Sequence, residues 1–473
     1  MTDSKYFTWI VVVCVAAALL LTAALMGAGY NHTVSSDAEE PEYASKVFDK
    51  GKVTEINIEI DEDDFEWLME NARQEEYRSC DVTVNGTTFY NVGLRPKGNS
   101  SLSRVIQDDT TDRFSFKLEF DTFIEGQSCF GLSKLALNNM ISDNSYMKEY
   151  LAYNMFETMG VVTPKYAYTN ITINGEPWGL YLAVECMEED FVERNYGSLE
   201  GNLYKPEGSG ADLVWKGDGA SNYSGIKNNA AYDVTDSDFQ KVIDMIENLN
   251  AGTNLEKYLD IDAVLRYFAV NTFLINFDNY TGNMNHNYYL YEEDGICTIL
   301  PWDFNLAFGG FGSSSAEEAI NYPVDTPVQG ELSEYPLIGK LLEVPEYKEL
   351  YHKYLNELVE TYVESGLYED TINNLNALIG NYVKNDPTAF CTYEEYKASL
   401  PVLLKFGELR SQSIVNQLAG TQSSIAQEKG EAPADTQKVS AEGIDLKALG
   451  SMGGGGGGPG ENGGKAGNTQ ANA

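Results

Sequence analysis

Residues 271–308, NTFLINFDNYTGNMNHNYYLYEEDGICTILPWDFNLAF, constrain the fold more than any other stretch of this chain. Up to Asp278 the apolar positions recur at helical spacing. Asn279, Tyr280, Thr281, Gly282 and Asn283 then make a turn-rich loop crowded with side-chain oxygens and amides. Residues 287–291 (NYYLY) and 296–300 (ICTIL) read as two strands joined by 292–295. Asp303 follows in the string Pro301-Trp302-Asp303-Phe304-Asn305. Two acids therefore fall at the two breaks of a helix, loop and hairpin unit. Singly, each reads most simply as a helix cap or a strand end; together they are candidate site residues.

With 473 residues, 12% of them aromatic, the chain can bury a large core in one domain or two lobes. Acidic residues number 72 against 32 basic, for a formal charge of −40. No basic footprint exists to release counterions, which argues against nucleic acid and anionic membrane surfaces as partners. A basic protein substrate suits this charge, as does simple solubility. The six cysteines (Cys14, Cys80, Cys129, Cys186, Cys297 and Cys391) are widely spaced and form no CxxC pair, so a dense disulfide framework is not expected. His32, His286 and His352 are too scattered for a zinc site or a histidine-based triad.

An almost unbroken apolar run at 7–26 follows Lys5 and precedes Asp37, Glu39, Glu40 and Glu42. A secretory signal core spans roughly 7–15 residues and a membrane helix about 20. Segment 1–29 is therefore expected to be a single transmembrane anchor, with cleavage near 27–29 as the alternative. The lysine before the run places the rest of the chain outside the cytoplasm, either anchored at the cell membrane or secreted. A polar linker is expected at 30–46, a folded domain at 47–420, and a disordered Gly-rich tail at 421–473.

Within the folded part, 53–60 alternates as a strand, and the acid-capped helix 61–73 is a better reading of its carboxylates than a calcium loop. A hairpin over 77–94 turns at Asn85-Gly86. The loop Arg95-Pro96-Lys97-Gly98-Asn99-Ser100-Ser101 offers two cations and small residues, a weak phosphate-binding signal. Strand 114–120 carries Lys117, which pairs with a phosphate or is simply solvated. A short strand at 135–138 and a helix at 145–159 bearing Glu149 follow. A hairpin turning at Asn174-Gly175 then ends at Glu185, in a connector to the next helix. Gly, Asn and Ser dominate 204–233, a long loop, and helices are expected at 239–249, 261–275, 336–343, 347–365, 369–384 and 393–419.

This order parallels a protein kinase: a β-rich lobe with a lysine and a helical glutamate, a hinge, then an acid, a hairpin and a second acid. Asp278 and Asn283 keep the five-residue offset of the catalytic Asp and the metal-binding Asn, although the His-Arg-Asp and Asp-Phe-Gly strings are absent. Seven collinear strings then carry a more specific resemblance: VGLRPKGNSS (92–101), FSFKLEFD (114–121), FGLSKLALNNMISDNSYMKEYLAYNMFETMGV (130–161), INGEPWGLYLAVE (173–185), GNLYK (201–205), DNYTGNMNHNYYLY (278–291) and PWDFNLAFG (301–309). Spanning roughly 50–415, they resemble the CotH kinase family, the spore coat protein H-like atypical protein kinases.

The resemblance implies an α+β, divergent kinase-like two-lobed fold, with a mixed β-rich lobe at about 47–186 and a mainly helical lobe at 187–420, behind the transmembrane helix. It implies Mg²⁺-ATP-dependent phosphorylation of protein Ser or Thr, with Mn²⁺ as an alternative metal. Asp278 would be the catalytic or metal-positioning acid and Asp303 a magnesium ligand. Either Asn283 or Asn287 would add an amide ligand, the family string favouring Asn287. Arg95, Lys97, Lys117, Glu149 and Glu185 take the nucleotide-binding positions, with Lys117 and Glu149 as an ion pair. Competing readings are a catalytically silent surface scaffold or adhesion protein, and transfer of another group such as AMP.

Overall fold

The computed structural model describes residues 40–426 and 438–452. Its β-rich half is a closed barrel of seven strands in the order β1-β2-β3-β4-β5-β7-β6. These are β1 Thr54–Ile60, β2 Arg78–Val84, β3 Thr87–Lys97, β4 Ser115–Glu119, β5 Lys134–Asn138, β6 Tyr166–Ile173 and β7 Glu176–Glu185. Alternation builds its interior: along β1, Ile56, Ile58 and Ile60 point inward while Glu55 and Glu59 face out. They meet Val82, Val84, Leu94, Phe116, Leu118, Leu137 and Tyr181 in one buried cluster. Closure comes from parallel pairing of β1 with β6, Thr54 opposite Thr169 through Ile58 opposite Ile173. Helix α1, Glu62–Glu70, is capped by the Asp61 side chain, which accepts from Asp63 N.

Helix α2, Ser100–Ile106, follows β3, and helix α3, Lys148–Thr158, follows β5. The second half packs α4 (Asp236–Ala251), α5 (Ile261–Leu274), α6 (Pro345–Leu358), α7 (Leu367–Lys384) and α8 (Tyr393–Leu418) around a small antiparallel sheet. That sheet runs β10-β9-β8, with β8 Asn202–Tyr204, β9 Tyr288–Glu293 and β10 Ile296–Pro301. Helix α5 is apolar on most faces and correspondingly buried. A fully buried ion pair joins the halves: Arg113 Nη1 donates to both carboxylate oxygens of Asp386 at 2.9 Å.

Three expectations are corrected. The kinase-like two-lobed architecture is replaced by a closed barrel joined to a helical body. Local alternation located the strands, but a β1–β6 pairing across more than a hundred residues has no local signature. The single-pass membrane anchor at 1–29, and the cell-membrane location drawn from it, rest on a segment that lies outside the described residues. Among the described residues no helix is long and apolar enough to cross a membrane, and the run at 7–26 lies outside those residues. An apolar run of spanning length states only what a membrane would accept.

The expected linker is partly built into the fold: Glu42–Lys46 is a helical turn, and Tyr43, 2% exposed, donates its hydroxyl to Glu185 Oε1 at 2.6 Å. The expected disordered tail is likewise corrected for 438–452, which runs as a strap over the body. Val439, Ala441 and Leu449 are buried. Asn144 N donates to Leu449 O at 3.1 Å, and the buried Lys148 Nζ donates to Ser142 O and Gly450 O at 2.8 and 2.7 Å.

Candidate active site

A cavity of about 620 Å³ lies where the barrel, α3, the loop before β9, the end of β10 and the strap converge. The barrel contributes Arg95 and Lys97 from β3, Lys117 from β4 and Asn138 from β5; helix α3 contributes Glu149. The helical body contributes Lys205, Asp278, His286, Asn287, Trp302 and Asp303, and the strap ends there with Met452.

The loop carrying Asp278 is set by its own polar residues. Asn279 Nδ2 donates to Asn271 Oδ1 on α5 at 2.5 Å, and Thr281 Oγ1 donates to Asn279 Oδ1 at 2.9 Å. Gly282 passes so close to the chain that an added Cβ would lie 1.7 Å from Phe277 O, so no larger residue fits. The Asp278 carboxylate is then held from both sides. His286 Nε2 lies 2.9 Å from Oδ1, and Asn287 Nδ2 donates to Oδ2 at 3.1 Å. Burial opposes charge on His286, but its contact with Asp278 more than offsets this and holds the imidazole above its ordinary value.

Asp303 sits just past β10 with φ +62°, and Asn287 has φ +52°. These left-handed conformations, tolerated by Asp and Asn, aim both residues into the cavity. The Asp303 amide donates to Tyr153 Oη at 3.3 Å. Among the described residues its carboxylate has no hydrogen-bond donor, in contrast to that of Asp278. Burial and the nearby Asp278 charge push Asp303 above the usual carboxylate range, against Lys97, Lys205 and His286.

A polar chain links Asp303 to the barrel. Tyr153 Oη donates to Glu149 Oε1 at 3.2 Å, Asn138 Nδ2 donates to both Glu149 oxygens at 3.1 and 2.9 Å, and Lys97 Nζ donates to Asn138 Oδ1 at 2.6 Å. Burial and the Asp303 charge raise Glu149 to about 7, while burial holds Lys97 below its ordinary value.

Three expected roles are corrected by this geometry. Lys117 does not pair with Glu149: its Nζ meets Glu188 Oε1 at 2.6 Å, and Lys134 Nζ meets the other Glu188 oxygen at 2.5 Å. Glu185 does not reach the cavity. It is fully buried, and its carboxylate is taken by Tyr43, Arg194 and the Lys165 amide. Asn283 is exposed and outside the cavity lining, which leaves Asn287 as the amide facing Asp278. Arg95 lines the cavity but is paired with Glu75.

Sequence reasoning missed Asn138, Glu188, Lys205, His286 and the strap's Met452 as cavity residues. A strand-end Asn carries no local signal. Lys205 and His286, by contrast, lay inside the strings GNLYK and DNYTGNMNHNYYLY and went unassigned. Among the described residues no group of three or more His, Cys, Asp or Glu side chains is arranged to hold a metal ion by itself. The site offers two acids with nearby amides, a donor set that a hard cation uses together with ligand phosphates and water.

The fold and cavity define a barrel-and-helix protein whose acids and cations converge on one polar pocket. The family model described as CotH kinase protein matches residues 94–414, and the chain belongs to the CotH family. It is 22% identical to the inner spore coat protein H of Bacillus subtilis (strain 168) over 311 residues, 63% of this chain and 82% of that protein. It is also 33% identical to an inner spore coat protein H-like protein of the same organism over 119 residues, 23% of this chain and 37% of that protein.

Proposed function

We propose that this protein is a phosphotransferase that moves the γ-phosphate of ATP to Ser or Thr hydroxyls of a protein acceptor. The observation that carries this reading is the convergence of Asp278 and Asp303 with Lys97, Lys117 and Lys205 on one cavity. Phosphoryl transfer asks a protein for charge neutralisation and alignment more than for covalent chemistry.

A divalent cation fits the residues present. Burial and the Asp278 charge raise the Asp303 carboxylate, and among the described residues it has no hydrogen-bond donor. Asn287 spends its Nδ2 on Asp278 and keeps Oδ1 for a ligand. Asp303 and Asn287 would hold Mg²⁺, or Mn²⁺, which when bound neutralises the charge of the phosphates. Asp278, fixed by His286 and Asn287, orients the acceptor hydroxyl and takes its proton. Lys97 and Lys117 bring positive charge to the nucleotide phosphates from the barrel side. Glu149 and Asn138 keep Lys97 in place from behind.

The full chain, incubated with Mg²⁺ and γ-labelled ATP, is expected to label a basic, Ser-rich acceptor protein. The relatives' names make a coat protein the natural acceptor to try next. Label that persists undiminished in Asp278→Ala and Asp303→Ala overturns the reading. So does the lack of any nucleotide-induced thermal shift with either metal, which points to a silent scaffold. Transfer of α-label instead identifies AMP as the moved group.

A further inference from the structure

The cations of the cavity differ in what they already hold. Arg95 is paired with Glu75, and Lys97 donates to Asn138. Arg104 Nη1 donates to Ser142 Oγ at 2.7 Å, and Lys117 is paired with Glu188. Lys205 is the exception: among the described residues its ammonium has neither a hydrogen bond nor an ion pair. Its backbone is nevertheless fixed. It follows β8 directly, precedes Pro206, and its amide donates to Asn229 O at 2.8 Å. The side chain is half-buried, and the nearest acid in sequence, Glu207, is engaged by Asn99 Nδ2 at 3.4 Å.

Its placement also differs. Lys97 and Lys117 enter from the barrel, whereas Lys205 enters from the small sheet of the helical body, the side that carries Asp278 and Asp303. Its charge is felt by both Asp303 and Lys97, with which it shares the cavity wall. A rigidly based lysine with three free donors beside a metal-type carboxylate is suited to bind a compact, highly charged anion.

Resting on the phosphotransfer reading, we propose that Lys205 is a catalytic residue that contacts the terminal phosphoryl group of the nucleotide, the group that moves. The barrel lysines then serve the phosphates that stay behind. A contact of this kind distinguishes ATP from ADP, and it grows in value as charge develops during transfer.

The test combines binding with rate, using the full chain with Mg²⁺. Affinities of ATP and ADP are measured by calorimetry for wild type, Lys205→Ala and Lys205→Arg, alongside transfer of labelled γ-phosphate. Lys205→Ala is expected to leave ADP affinity within about twofold and to lower the ATP-to-ADP affinity ratio about tenfold. It should lower kcat/KM about a hundredfold, mostly through kcat, with partial recovery in Lys205→Arg. An unchanged affinity ratio together with a rate within twofold of wild type overturns the proposal. Equal loss of ATP and ADP binding also overturns it, because the lysine then serves an inner phosphate. A wild type that binds ATP but transfers nothing refutes the phosphotransfer reading, and the affinity ratio still decides what Lys205 contacts. A wild type that binds no nucleotide overturns both.

Discussion

The two walls of the cavity are built on opposite plans. On the barrel wall almost every charge is committed before any ligand arrives: Arg95 to Glu75, Lys117 to Glu188, and Lys97 through Asn138 to Glu149. On the wall formed by the helical body, the carboxylate of Asp303 and the ammonium of Lys205 are left without partners among the described residues. Asp278 alone is braced there, by His286 and Asn287. A committed wall holds shape, and an uncommitted one waits for charge from outside. The difference teaches where ligand binding is to be sought, and it can be broken residue by residue.

The largest effect belongs to the uncommitted wall. Asp303→Ala is expected to reduce phosphoryl transfer by at least about a thousandfold, roughly 4 kcal/mol in the barrier. The fold should keep its melting temperature or gain slightly, since the substitution removes repulsion between two neighbouring acids. Labelled transfer and a thermal melt on the same sample check both halves. A variant that loses activity only because it melts would show Asp303 to be part of the scaffold, and the contrast between the walls would fail.

The connection between the halves should give the next largest effect, this time in stability. Arg113→Met leaves the Asp386 carboxylate buried and unpaired, at a cost of about 3–5 kcal/mol. The double variant Arg113→Met with Asp386→Leu should recover much of that, because a buried ion pair is held in check by its own desolvation. Denaturant midpoints of the single and double variants decide it. If the single change costs under about 1 kcal/mol, barrel and helical body do not depend on this contact.

The strap sets a smaller term. Leu449 is fully buried, and Leu449→Ala should cost about 2–3 kcal/mol by chemical denaturation. Nucleotide affinity should fall with it, because the same strap holds Asn144 and Lys148 at the base of α3 and delivers Met452 to the cavity. Stability loss without any change in nucleotide affinity would make the strap a clamp for the fold alone.

The unevenness of the sequence reading has the same physical origin as the contrast between walls. Strands and helices whose apolar residues repeat at period 2 or 3.6 were legible, as on β1 and α5, because burial there depends on local alternation. Asp278 and Asp303 were legible only as a pair at the two breaks of one unit and through the collinear strings around them, since singly each reads as a helix cap or a strand end. Barrel closure was not, since nothing in β1 states that β6 will lie beside it. Partner choice was not legible either. Lys117 and Glu149 occupy suggestive positions, yet Glu188 lies nearer to Lys117 and Asn138 stands between Lys97 and Glu149. The strap was hidden for another reason. Its composition is that of a tail, and it docks through three buried apolar residues, Val439, Ala441 and Leu449, together with hydrogen bonds from Asn144, Lys148 and Asn321.

The smallest predicted effect tests the committed wall directly through pH. Glu149 has a folded-state value raised to about 7, above that of an unfolded glutamate, so the folded protein binds the proton more tightly. The stabilisation from that proton is fully present below the unfolded value. It is lost progressively as pH rises toward 7 and is gone above it. With Asp303 raised in the same direction, the ligand-free protein should lose on the order of 2 kcal/mol from this network between pH 5 and pH 8. Glu149→Gln keeps the shape and a permanently neutral side chain, and it should flatten that part of the pH dependence. Asp325, held down to about 2 by its contacts with His352, Lys348 and Ser424 despite burial, titrates far below the window and leaves it undisturbed. Denaturation of wild type and Glu149→Gln at half-unit steps of pH measures the difference. If the two curves stay parallel from pH 5 to 8, Glu149 is ionised throughout, and the barrel wall holds its charge without help from the Asn138 relay.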